Sequence, residues 1–233
     1  MKKFKIDFSF ILFLLVVFFS PKQYLMLQLL LCLVLHELGH LLMLLVVHYP
    51  IEQLKLSIFG FSLTLKHAKV SFLKDLAVYS GGILVNLICY LIIPNEEVKQ
   101  IHLALLILNS IPVYPLDGFN ILKTILFYFV PHFHSLWIGG ILGVVGSISL
   151  LACSIFLKWD LFLIFSFSYL VIENILFLNK ISVLQNLFLL KKEIYLDSYP
   201  LRTLHFHDNI LNYLYQYHQV ELVIGDKKFK EKD

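Results

Sequence analysis

The sequence predicts an all-α polytopic membrane protein of about six transmembrane helices, with a short membrane-surface β-hairpin and a small cytoplasmic α/β tail. Three observations carry that prediction. Hydrophobic residues make up 59% and charged residues 15% of the 233, against roughly 45–50% and about 25% in soluble domains; mean hydropathy is +0.80. Several apolar runs approach the roughly 20 residues needed to cross the hydrocarbon. In one of them, Leu33 to Leu42, the residues His36, Glu37 and His40 stand in otherwise apolar sequence. The net charge of +3 is small and scattered, so nothing points to nucleic acid. Cys32, Cys89 and Cys153 lie singly in separate apolar segments, which suits neither a disulfide framework nor a thiolate metal site.

Met1 to Lys5 carries three lysines ahead of an apolar stretch from Phe8 to Phe19. No small-residue cleavage site follows, so this reads as a retained first span with a cytoplasmic N-terminus. After the turn at Ser20-Pro21-Lys22, a second helix from Tyr24 to His48 would cover about 36 Å at 1.5 Å per residue. It runs outside to inside, which puts His36 to His40 nearer the cytoplasmic face. Leu54, Leu56 and Ile58, then Leu63 and Leu65, alternate with polar residues around Gly60. A period of two predicts two short strands, with a solvated loop as the alternative. As a hairpin at the membrane surface, it would offer an edge for an extended peptide.

A third span, Leu73 to Ile93, carries Ser80-Gly81-Gly82 and then Asn86, small and polar residues at the spacing that lets membrane helices approach closely. Pro94 to Glu97 forms an outer loop, and a fourth segment from Val98 leads into Asn109 to Gly118, N-S-I-P-V-Y-P-L-D-G. Pro112 and Pro115 break helical hydrogen bonding at membrane depth, which is tolerated only where the freed backbone lines an enclosed or water-filled cavity. Phe119 to Val130, ended by Pro131, reads as a span or a surface helix. Leu136 to Leu157 and Leu161 to Leu178 are two further spans, the latter with Glu173 and Asn174 in a snorkelling or packing role. All nineteen Lys and Arg except Lys22, Lys99 and Lys158 then fall inside, as the positive-inside rule asks.

From Asn179 the chain is polar enough to be soluble. Leu201 to Phe206 and Val220 to Ile224 read as strands flanking a helix from Asn209 to Tyr217, and His205, His207 and His218 read as surface residues. The domain division is residues 1–180, with a catalytic core about 24–118, and a tail of residues 181–233.

The chemistry lies in His36-Glu37-Leu38-Gly39-His40. On a helix the two histidines stand one turn apart, so both rings project from one face and can hold one Zn²⁺, with Glu37 beside them to activate a metal-bound water. Ionisable groups at membrane depth cost about 2.5–3.5 kcal/mol each on insertion scales, and a bound metal would offset that. Asp117 is the acidic residue that the cavity segment adds. A zinc ion held by two histidines needs a third protein ligand and an open position for water, and an intramembrane carboxylate needs a partner. The competing role for Asp117 is a helix cap or interfacial turn residue.

These motifs, with Gly82-x-x-x-Asn86 and Asn109-x-x-Pro112-x-x-Pro115-Leu116-Asp117-Gly118, resemble in order and membrane placement those of the site-2 protease family of intramembrane zinc metalloproteases. The resemblance covers roughly Leu25 to Gly118. The six-span plan without an inserted PDZ domain looks most like the stage IV sporulation branch that processes pro-sigma-K. That branch carries a cystathionine-beta-synthase-type (CBS) domain after the last span; the tail here resembles half of one, which leaves nucleotide sensing unsupported. Gly118-Phe119-Asn120 also departs from the second glycine of many relatives. The resemblance implies one zinc per chain held by His36, His40 and Asp117, with Glu37 as catalytic base and Asn86 and Asn109 positioning substrate. It further implies a membrane-associated protein substrate, with a sigma-factor precursor as candidate, and leaves room for membrane inhibitor or regulator subunits and for a homo-oligomer. The expected location is the cell membrane, with both termini cytoplasmic. Two other classes remain: a membrane zinc transporter or metal sensor, which gains nothing from Glu37, and a non-catalytic protein that binds membrane helices.

Overall fold

The computed structural model describes residues 3–6, 23–49, 51–57, 60–65, 71–159, 161–195, 201–205, 219–224 and 227–230. The expected first span from Phe8 to Phe19 and the expected tail helix from Asn209 to Tyr217 lie outside them. Contacts divide the chain into two compact units, residues 1–68 with 77–109 and residues 69–76 with 110–233.

In the first unit, β1 (Lys3–Ile6) precedes α1 (Gln23–Val46), which is followed by β2 (Ile51–Ser57) and β3 (Gly60–Leu65). Most of α2 (Phe72–Ile92) and of α3 (Glu96–Ser110) completes it. α1 is apolar outside and polar within: Leu27, Leu31, Leu38, Leu42 and Leu45 are exposed, while Gln28 and His36 are buried. A soluble helix does the reverse, so lipid is the solvent that this surface suits. α1 and α2 meet at two glycines, where a Cβ on Gly39 would lie 2.5 Å from the Gly81 carbonyl oxygen. Only glycine on both sides permits that approach.

β2 is the middle strand of its sheet. It pairs antiparallel with β3, Leu54 opposite Leu63 and Leu56 opposite Phe61, and parallel with β1, Lys3 opposite Gln53 through Ile6 opposite Leu56. The β1 partner was not anticipated, although Lys3-Phe4-Lys5-Ile6 does alternate; four residues are too few for a period to declare itself.

Among the described residues, three helices are long and apolar enough to cross a membrane: α1, α2 and α5 (His132–Phe156). A fourth candidate is the pair α6 (Leu161–Asn179) and α7 (Ile181–Tyr195), bent by 51° at the break. α3 has 15 residues, about 22 Å of helix, short of the roughly 30 Å hydrocarbon. The described residues therefore give three or four candidate spans, and the expected first span lies outside them.

In the second unit, α4 (Asp117–Phe129) packs with α5, α6 and α7 around Phe119, Phe127, Leu136, Phe177 and Ile181. The rings of Phe119 and Phe177 meet edge to face with centroids 5.0 Å apart, a favoured aromatic geometry. The sequence assigned no helix to residues 181–195, yet Ile181 is 1% exposed within this core, so the first turns of α7 pack with the apolar helices. Past α7, β4 (Leu201–His205) pairs parallel with β5 (Gln219–Ile224), and β5 pairs antiparallel with β6 (Lys227–Lys230).

Candidate metal centre

His36 and His40 occupy one face of α1, and their Nε2 atoms stand 3.3 Å apart, as the one-turn spacing dictates. Room for the rings comes from α2. A Cβ on Gly82 would strike His36 Cε1 and come within 2.5 Å of His40 Nε2, so this glycine is a steric requirement of the pair. His40 Nδ1–H donates to the Val78 carbonyl at 2.8 Å. That bond fixes the tautomer in which His40 Nε2 keeps its lone pair, the arrangement a metal-binding imidazole needs.

His36 is held differently. Its Nδ1 lies 2.8 Å from the Asn86 amide, whose other end lies 3.0 Å from His102 Nδ1 on α3. His36 is 3% exposed, and Asn86 and His102 are both 0% exposed. Glu37, between the two histidines, is half-buried.

In the second unit, Asp117 is the first residue of α4 and half-buried. The helix N-terminus there carries partial positive charge, which favours a carboxylate. The loop before it turns tightly: Val113 N–H donates to the Ile111 carbonyl and Leu116 N–H to the Val113 carbonyl, both at 2.8 Å. Gly118 lets the loop fold back, since a Cβ there would come within 2.5 Å of the Ser110 and Ile111 oxygens. Tyr114, between the two prolines, pairs both of its backbone groups with one side chain. Its N–H donates to Asn174 Oδ1 at 3.1 Å, and Asn174 Nδ2 donates to its carbonyl at 2.8 Å. Asn174 Nδ2 also donates to the Leu170 carbonyl at 2.7 Å.

Two further expected positions, Asn86 and Asn109, have side-chain contacts within the first unit. Asn86, expected to position substrate, lies against His36 and His102. The other, Asn109, donates its Nδ2 to Leu105 of its own helix at 3.1 Å. His102 and the role of Asn174 escaped the sequence reading. A signal for His102 was present, because a histidine followed by the apolar run Leu103 to Leu108 invites burial, and a buried imidazole needs a partner. Asn174 gave no such signal, since its partner is a backbone 60 residues away.

The expected donors are His36 and His40 in the first unit and Asp117 in the second. Two imidazole nitrogens and a carboxylate oxygen suit zinc, leaving a fourth position for water, and the His40–Val78 bond is the outer support such ligands ordinarily have.

No protein-family model matches the chain. No curated protein sequence matches it either. Among solved structures, the site-2 protease from Methanocaldococcus jannaschii is similar, at 22% identity over 73% of this chain and 88% of that one, with a TM-score of 0.54. The likeness is one of fold: this chain is built like a site-2 protease.

Proposed function

We propose that this protein is an intramembrane zinc metalloendopeptidase that cuts membrane-associated proteins near the cytoplasmic face. The observation that carries the reading is the imidazole pair at 3.3 Å on an apolar helix, with Glu37 between them and a tautomer-fixing bond to Val78. His36, His40 and Asp117 would hold the metal. When bound, zinc lowers the pKa of a coordinated water toward about 7 and polarises the scissile carbonyl. Glu37 takes the proton from the attacking water and delivers it to the leaving amine, the two halves of general acid–base catalysis. The apolar surroundings exclude competing water and strengthen each electrostatic interaction there.

A helical peptide bond is shielded, so the substrate must unwind, and an added strand would hold it extended. β2 is flanked on both sides, which leaves the outer edges of β3 and β1 as the open ones in that sheet among the described residues. We assign β3 this role. Successive residues of an edge strand turn their N–H groups inward and outward alternately, so Ser62→Pro and Leu63→Pro should behave differently. One removes an outer donor and lowers cleavage with zinc content intact; the other disturbs pairing with β2. Unchanged cleavage in both removes the strand-addition reading.

The resemblance to the sporulation branch makes a sigma-factor precursor the first substrate to try, and the lysine and arginine distribution favours cytoplasmic termini. The test is co-expression with candidate substrates, read by blotting for the shortened product and by metal analysis. Glu37→Gln should keep about one zinc per chain and lose cleavage by roughly 10²-fold or more. His36→Ala, His40→Ala and Asp117→Ala should lose metal and activity together. A transporter would still carry zinc with Glu37→Gln, and a helix-binding protein would yield no product even from wild type. Cleavage by Glu37→Gln at the wild-type rate would overturn the mechanism.

A further inference from the structure

His102, Asn86 and His36 form a buried row of three polar side chains from three different helices, joined by contacts of 3.0 and 2.8 Å. Nothing in hydrolysis itself requires His102. A fully buried imidazole with no task would be costly, and its Nε2 is buried without a hydrogen-bond partner among the described residues. Only the Nδ1 contact to Asn86 gives it work. We propose that His102 is a positioning residue for the metal ligand His36, acting through the Asn86 amide; the proposal rests on the zinc reading above.

The donor and acceptor inventory of the row shows why a histidine serves there. Two proton arrangements satisfy both contacts. In the first, His102 Nδ1–H donates to the amide oxygen, the amide NH₂ donates to His36 Nδ1, and the His36 hydrogen sits on Nε2, facing His40. In the second, the amide is turned over: His36 Nδ1–H donates to the amide oxygen, and the NH₂ donates to the Nδ1 lone pair of His102. Only the second leaves a lone pair on His36 Nε2 to match that of His40, so only the second presents two ligand nitrogens on the same side. His102 can serve either arrangement, because an imidazole nitrogen is a donor in one tautomer and an acceptor in the other. An apolar residue at this position would leave the far end of the amide unpaired in the interior, and Asn86 would lose the contact that holds it against His36.

The experiment measures metal affinity rather than cleavage, on purified full-length protein in detergent. Zinc dissociation constants come from chelator competition, and ligand geometry from the visible spectrum of the cobalt-substituted protein. His102→Leu and His102→Phe should weaken zinc binding roughly 10- to 100-fold, as loss of outer-shell support does, and should change the cobalt band. His102→Asn, whose amide reaches the position of Nδ1 and offers both a donor and an acceptor, should stay within about threefold of wild type. A dissociation constant is read on the folded fraction, so reduced yield does not imitate the effect, and rescue by asparagine is not expected of mere space filling. Wild-type affinity and an unchanged cobalt band in either apolar variant, or failure of asparagine to rescue, overturn the proposal and leave the protease reading standing. A wild-type protein that binds no zinc overturns both. Cleavage by a metal-loaded Glu37→Gln overturns only the catalytic assignment.

Discussion

Asn86 and Asn174 are both 0% exposed, both lie on apolar helices, and both support an element of the candidate centre, but they satisfy different kinds of partner. Asn86 in the first unit joins two imidazoles. Asn174 in the second joins the two backbone groups of Tyr114, in the segment interrupted by Pro112 and Pro115. The difference lies in what each partner can do when the amide is lost. An imidazole can change tautomer and present a lone pair instead of an N–H, whereas a peptide group has one donor and one acceptor and can change neither. Asn174 should therefore matter chiefly to stability, and Asn86 chiefly to metal binding.

Crossing the two substitutions tests that division. Asn174→Leu strands a buried N–H and a buried carbonyl at about 1–3 kcal/mol each, so the metal-free protein should lose about 2–6 kcal/mol in a denaturation series in detergent. Asn86→Leu should cost the metal-free protein less, about 1–3 kcal/mol for one unpaired imidazole N–H. Its zinc affinity should fall roughly 10- to 100-fold. If Asn86→Leu proves the more destabilising without metal, the comparison fails.

A smaller effect sharpens it further. Gly143 on α5 lies against Asn174, and a Cβ there would collide with Asn174 Oδ1. Gly143→Ala should push the amide from Tyr114 without deleting it and cost about 1–3 kcal/mol, in the range of core overpacking. Zinc affinity should change less than in Asn86→Leu. A stability equal to wild type would show that the amide can shift without losing Tyr114.

The same contrast marks what could be read before folding. His36, Glu37 and His40 were legible because their chemistry is local: four residues of helix fix the relative direction of two rings. The alternation from Leu54 to Leu65 was legible for a similar reason, since a strand shows its period in its own sequence. Pro112 and Pro115 announced broken helix, and the described structure has none from Ile111 to Leu116. The parallel partner β1, the bend that separates α6 from α7 and the packing of Ile181 were not legible, because each depends on what lies opposite rather than on what lies adjacent.

By itself, then, the sequence determined that apolar helices predominate, that one of them carries a histidine pair with a glutamate, and that a proline-broken segment leads to Asp117. Only the tertiary structure decided which side chains stand behind them. Gly82 became the space for two rings, Asn86 and His102 the support of His36, Val78 the anchor of His40, and Asn174 the partner of Tyr114. The physical reason is range: periodicity and covalent spacing act over a turn or two of chain, whereas a buried polar group must find its partner wherever the fold brings one, here 16, 38, 50 and 60 residues away.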